Sequence, residues 1–182
     1  MPEGLTFFGA LDPSLGLKNK HSDPSAIVIL GRNEQGKYYV AEAIIKKLKP
    51  TDIIERIIEL QEQYQCRSWA IETVQFQAFF KDVLLEKALE QGVPLPAVGV
   101  KPTRDKALRI EALQPQVRNG VILFRKDQGL LLDQLKYFPQ ADHDDGPDAL
   151  EMAFQLGVQH KPVQIQSHSP QSWGQTQRFE GY

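Results

Sequence analysis

At Pro50 the hydrophobic pattern changes period, and the two sides of that change together restrict the chain to a sheet partly built from a meander and partly from helix-linked strands. Upstream, the apolar residues fall into short runs. Residues 6–11 read Thr-Phe-Phe-Gly-Ala-Leu and stop at Asp12-Pro13, as a buried strand stops. Residues 26–30 are rich in β-branched side chains and end in the polar, glycine-bearing stretch 31–36, after which 38–45 reads as a third strand. Their connections are short, and a parallel return needs about a dozen residues or more, so an antiparallel meander is expected.

Downstream, Ile53, Ile57, Leu60 and Tyr64 recur at helical spacing, with Thr51 or Asp52 placed to cap the first turn. Residues 67–72 form a compact strand pattern that again ends on an acid, Glu72. Phe76, Phe80, Val83 and Leu84 then share one helical face up to Gly92, and Phe79 is assigned with them to the core. A strand is expected over 94–100. Thr103 is placed to cap a helix carrying Leu108, Ala112 and Leu113, which Pro115 ends or kinks. Gly120 leads into the short apolar run 121–124, and helices are expected over 130–137 and 147–156, the last with Pro147 in its first turn. This order predicts an α/β fold, a mixed sheet flanked by helices.

With 41% apolar residues in 182, the chain can bury one core of ordinary size. The periodic pattern fails near Gln159, so residues 1–158 are expected to be the domain. Residues 159–182, rich in Gln, Ser and Pro with Trp173, Phe179 and Tyr182 spread singly, are expected to be a flexible tail. The single Cys66 rules out an intrachain disulfide and a thiolate metal cluster, and with no apolar span or signal sequence the expected location is the cytoplasm. Gly36-Lys37 is followed by Tyr38, not Ser or Thr, so no phosphate-binding loop of an ATPase is present and no organic cofactor is expected. A net charge of −2 announces neither a nucleic-acid nor a membrane partner, and any such partner must be read from local charge.

Local charge is strongly segregated. Asp12 and Glu72 end apolar strands, where functional groups of open α/β sheets gather, and 143–148 reads His-Asp-Asp-Gly-Pro-Asp. Asp145 and Asp148, three apart at a helix start, can point the same way. Carboxylates that converge repel one another and raise each other's pKa, and a bound cation removes that cost. Oxygen-only ligands suit Mg²⁺ or Mn²⁺, and two such ions about 3.5–4 Å apart would align a water and a leaving oxygen for phosphodiester hydrolysis. The acids are preceded by a basic stretch, 101–126, in which Lys101, Arg104, Lys106, Arg109, Arg118, Arg125 and Lys126 outnumber Asp105 and Glu111 by five. Lys101, Arg104, Lys106 and Arg109 are the candidates for holding a nucleic-acid backbone. Residues 18–23 form a polar loop after the Asp12 strand that is placed to lie near a substrate.

Four segments carry a resemblance: Gly9-Ala-Leu-Asp12-Pro-Ser-Leu-Gly16, Ala70-Ile-Glu72, the stretch from Val100 through Lys106 and Arg109 to Gly120, and His143-Asp-Asp-Gly-Pro-Asp148-Ala-Leu150. In these the chain resembles the nuclease domain of the large terminase subunit of tailed bacteriophages, within the ribonuclease H-like superfamily that also holds Holliday-junction resolvases. The resemblance implies a mixed five-stranded sheet with the first strand central, beside the fourth. It implies that Asp12, Glu72, Asp145 and Asp148 are catalytic metal ligands for two ions, Mg²⁺ or Mn²⁺, with the choice of principal ligand between Asp145 and Asp148 open. His143 and Asp144 would support those ligands from outside. It further implies an endonuclease acting on double-stranded DNA in the cytoplasm of a bacterial host, as a phage or prophage protein. An ATPase motor domain, a small terminase subunit and a portal are its implied partners. The alternatives are a structure-selective nuclease of the resolvase kind, which would dimerise on branched DNA, and a non-catalytic nucleic-acid-binding or assembly module.

Overall fold

In the computed structural model, which describes residues 1–13, 24–73, 77–101 and 103–160, the meander is present as read. Strands β1 (Thr6–Asp12), β2 (Ser25–Arg32) and β3 (Tyr38–Lys46) pair antiparallel in sequence order. β2 is buried along its whole length, which is why it reads as a continuous apolar run instead of an alternation. Helix α1 (Pro50–Tyr64) carries the chain back so that β4 (Ser68–Glu72) lies parallel to β1 on its other side. Helix α2 (Gln77–Glu90) and β5 (Ala97–Val100) repeat the crossover, with β5 parallel to β4. Then follow α3 (Lys106–Glu111), α4 (Gln114–Arg118), β6 (Ile122–Leu123), α5 (Gly129–Tyr137) and α6 (Asp145–Gln159).

The strand order is β5-β4-β1-β2-β3-β6, so β1 is interior with β4 as its neighbour, and the sheet is mixed. It has six strands where five were expected. The run at 121–124 is long enough to add a parallel edge: Tyr38 N–H donates to the Val121 carbonyl at 2.8 Å, and Tyr38 and Tyr39 then pair with Ile122 and Leu123. One face of the sheet packs on α1 and α2 through Ile53, Ile57, Leu60, Trp69 and Leu84. The other packs on α6, whose Ala149, Leu150, Ala153 and Leu156 meet Phe8, Ala10, Val28 and Leu30. Among the described residues no helix is long and apolar enough to cross a membrane. Residues 161–182 of the expected tail, Phe76 and the loop 18–23 lie outside the described residues.

Local details depart from the sequence reading for identifiable reasons. Neither Thr51 nor Asp52 caps α1; Lys49 is the cap residue, with no side-chain bond. Pro50, fixed in φ and lacking an N–H, takes the first helical position and starts the helix earlier, while Thr51 Oγ1 donates to Asp52 Oδ1 at 3.2 Å. Helix α3 is capped by Asp105, not Thr103: its carboxylate accepts from Leu108 N–H at 3.2 Å. Leu108 is consequently exposed, and Ile110 and Leu113 are the buried residues of this region. Phe79 is 66% exposed, whereas Phe80, Leu84 and Ala88 line the buried face of α2. With apolar residues all round this helix, spacing alone does not select the face.

Trp69 on β4 is fully buried, and its indole N–H donates to Gln61 Oε1 at 2.6 Å. The ring lies across Gly9 of the neighbouring β1, and a β-carbon at Gly9 would fall inside the ring's van der Waals envelope. Gly9 therefore keeps the β1–β4 pair close enough to bring their ends together. Gly9→Ala is expected to destabilise the protein by about 3 kcal/mol through overpacking, read as a lower urea midpoint. An unchanged midpoint would contradict this packing account.

Candidate metal centre

The register of β1 and β4 sets the site. Leu11 pairs with Ile71, so Asp12 and Glu72 end adjacent parallel strands side by side. The third acid comes from α6, which crosses β1 and β2 on one face of the sheet and presents Asp148 from its first turn. That turn packs tightly: a β-carbon at Gly146 would meet the side-chain ends of Ile45 and Gln134, and Gly146 N–H donates to Gln134 Oε1 at 3.1 Å. One carboxylate oxygen from each of Asp12, Glu72 and Asp148 lies within 4.8 Å of the others. Asp12 and Asp148 are buried and Glu72 partly so.

Asp145, also expected as a ligand, is buried at the start of α6 but is not one of these converging acids. His143 is exposed, and Asp144 is half-buried at the cap position of α6. Asp144 makes no capping bond with its side chain. It pairs instead with Lys106, whose Nζ lies 2.8 Å from Asp144 Oδ1, 3.3 Å from Asp148 Oδ2 and 3.9 Å from Asp12 Oδ2. Lys106, expected to hold a nucleic-acid backbone, is thus drawn into the acids.

Arg109, one helical turn further along α3, is turned inward as well. Its NH1 lies 2.7 Å from Asp148 Oδ1 and 2.9 Å from Glu151 Oε2, with only a tenth of the side chain exposed. Of the four basic candidates only Lys101 and Arg104 stay exposed. They line a groove of about 850 Å³ between β5, α3 and α6, and Glu151 and Arg109 border the same groove. Glu151 was not selected in the sequence reading. Its one local signal is its position three residues after Asp148 on a helix that is otherwise buried there.

The electrostatics follow from this crowding. Burial first, then the charges of Glu72 and Asp148, push the Asp12 carboxyl from its ordinary 3.8 up to about 8, against the opposing pull of Lys106. Burial disfavours the Lys106 ammonium, but the hydrogen bond to Asp144 and the charges of Asp148, Asp12 and Asp144 outweigh it and hold its pKa above the ordinary lysine value. Asp148 Oδ1 is buried without a hydrogen bond: Arg109 approaches it at ion-pair distance but without hydrogen-bond alignment. An oxygen-only donor set, excess negative charge and a buried carboxylate oxygen with unused lone pairs fit a hard divalent cation such as Mg²⁺ or Mn²⁺. Away from this site, burial pushes the Cys66 thiol up to about 12, which leaves it inert as a nucleophile.

The sequence matches no family model, and no curated protein matches it. Solved structures do. The large terminase nuclease from thermophilic phage G20c with bound zinc is 21% identical, with a TM-score of 0.59 over 84% of this chain and 81% of that one. A variant nuclease domain of the large terminase subunit gp2 of bacterial virus Sf6, with manganese and β-thujaplicinol, is 13% identical with a TM-score of 0.60 over 82% and 87%. The HK97 bacteriophage large terminase is 16% identical with a TM-score of 0.59, covering 85% of this chain but 39% of its own. The shared property is the fold, which is ribonuclease H-like.

A sign follows for Asp12. An acid whose pKa is raised on folding contributes stability that is complete below its unfolded value near 3.8 and is lost as pH rises toward about 8. Asp12→Asn removes that dependence. With metal chelated, the variant should melt about 5 °C above the parent at pH 9, and the gap should shrink or reverse toward pH 5. Parallel melting curves across that range would contradict the assignment. Bound divalent cation should reverse the ranking at pH 9, since it stabilises the parent carboxylates.

Proposed function

We propose that this chain is a metal-dependent endonuclease of the phage DNA-packaging terminase type, hydrolysing phosphodiester bonds of double-stranded DNA. The observation that carries the reading is the convergence of Asp12, Glu72 and Asp148 at the ends of two central strands and the start of the last helix, in a fold shared with terminase nuclease domains. Asp12, Glu72 and Asp148 would hold Mg²⁺ or Mn²⁺, two ions in our reading, with Asp148 as principal ligand in preference to Asp145. Such ions supply Lewis-acid charge for the attack of water on phosphorus and the departure of the 3′ oxygen.

The chain's own residues do the rest. Asp12, whose carboxyl burial and the neighbouring acids push up to about 8, would be held as a carboxylate by a bound cation. Lys106 balances the acids and keeps a positive charge beside the reacting phosphate. Lys101 and Arg104, exposed along the groove, hold the DNA backbone by charge, so affinity falls with salt. His143 and Asp144 act around the ligands, Asp144 through its pair with Lys106. The partners in this reading are an ATPase motor domain, a small terminase subunit and a portal, and the setting is the cytoplasm of a bacterial host. That the HK97 chain is matched over 39% of its length accords with a nuclease unit that elsewhere forms part of a longer protein.

Supercoiled plasmid incubated with the purified chain and EDTA, Mg²⁺ or Mn²⁺ tests this directly. Nicking and linearisation should require the metal and fall at least about 100-fold in Asp12→Asn and Asp148→Asn, each tested as a folded protein. Preferential cutting of a four-way junction over linear duplex would favour the resolvase reading instead. Metal-independent cleavage, or DNA binding without cleavage at any metal concentration, would overturn the nuclease reading. Lys101→Ala with Arg104→Ala should weaken DNA binding and reduce its salt dependence by about two counterions' worth, checked by titration at several salt concentrations.

A further inference from the structure

Arg109 and Glu151 are both more deeply buried than a backbone-binding arginine and a surface glutamate should be. Glu151 is 5% exposed and the Arg109 side chain 10%. One guanidinium nitrogen, NH1, reaches both carboxylates: 2.7 Å to Asp148 Oδ1 and 2.9 Å to Glu151 Oε2, the second being a hydrogen bond. Arg109 Nε, on the same side chain, is buried without an acceptor. The arrangement arises from two helical spacings set against each other. Lys106 and Arg109 lie three apart on α3, Asp148 and Glu151 three apart on α6, and the helices pack so that basic and acidic pairs meet.

A lone guanidinium beside a metal ligand has two opposed effects. It fixes the carboxylate, and it repels the cation that the carboxylate is meant to bind. Glu151 resolves the conflict, because its charge cancels that of Arg109 and its hydrogen bond shares the guanidinium nitrogen that meets Asp148. We infer that Arg109 and Glu151 form a charge-neutral brace that positions Asp148 for divalent cation, with Glu151 a positioning residue that never touches the ion. The inference rests on the metal-centre reading above. Without Glu151, Arg109 would lean wholly on Asp148 and compete with the cation for its oxygen. Without both, the competition ends but Asp148 loses its support.

The test is calorimetric titration of the DNA-free full chain with Mn²⁺ at one fixed pH, comparing the parent with Glu151→Gln and with Arg109→Gln/Glu151→Gln. Glu151→Gln, nearly isosteric, should weaken Mn²⁺ binding about tenfold or more, within the range typical for residues that support metal ligands. The double variant should recover part of that loss while remaining weaker than the parent. Should Glu151→Gln fail to fold, Glu151→Asp, which keeps the charge but withdraws it by one methylene, serves in its place with the same expectation of weaker binding. A purely structural role would lower the melting temperature of the metal-free variants yet leave the Mn²⁺ affinity of the folded protein at the parent value, and that result overturns the brace. So does a double variant no better than the single one. A parent chain that binds no Mn²⁺ overturns the metal centre itself, a failure distinct from parent and variant binding alike.

Discussion

Mutual repulsion among buried carboxylates governs this molecule. Asp12, Glu72 and Asp148 lie within a few ångströms of each other at a place where water is largely excluded, and nothing about folding a sheet requires them there. In such surroundings burial and then the neighbouring charges push the Asp12 carboxyl up to about 8, and Lys106 is drawn in beside the acids. The fold tolerates the arrangement because its large apolar layers lie on both sides of the sheet. A local cost at one sheet end is then carried by packing elsewhere.

That cost is offset in part by α3, which is basic on the side that meets the acids. A six-residue helix contributes little stability of its own, and it is tied to the body by burial of Ile110 and by the pairing of Lys106 and Arg109 with acids of α6 and its cap. The electrostatics of the site and the position of α3 are therefore one problem. Removing an acid would relax the site, whereas removing a base would loosen a helix and leave an uncompensated buried charge, the costlier of the two changes.

Much of this was legible in the sequence. The meander, the crossovers and the placement of Asp12 and Glu72 at strand ends follow from runs of apolar residues that stop abruptly at an acid, a pattern that needs no tertiary information. The roles of Arg109 and Glu151 were not legible. A basic residue on a short helix looks the same in sequence whether it faces solvent or a carboxylate 42 residues away. Asp145 and Asp148 lie three apart at one helix start, but only the docking of α6 on the sheet shows that Asp148 is the one that meets Asp12 and Glu72. Phe79 fails for a related reason: in α2 apolar side chains surround the axis, and the sheet selects among them only once the helix is docked. The sixth strand, two residues long, is set by its pairing with Tyr38 and Tyr39 and the Tyr38–Val121 hydrogen bond, contacts that hydrophobic patterning does not register.

Those two residues have a consequence for how the molecule behaves among its own copies. β2 and β3 are long and largely apolar, the kind of strand on which a second chain could build a continuous ladder if its edge were open. The sheet closes on one side with the four residues of β5 and on the other with the two of β6, which pair only with Tyr38 and Tyr39, and Gln128, the cap residue of α5, donates from Nε2 to the Val40 carbonyl just beyond. The β5 border offers an incoming strand few peptide groups and runs directly into the charge of Lys101. The edge protection that β6 gives therefore reaches only the first two residues of β3, and the Gln128 amide extends it by one carbonyl.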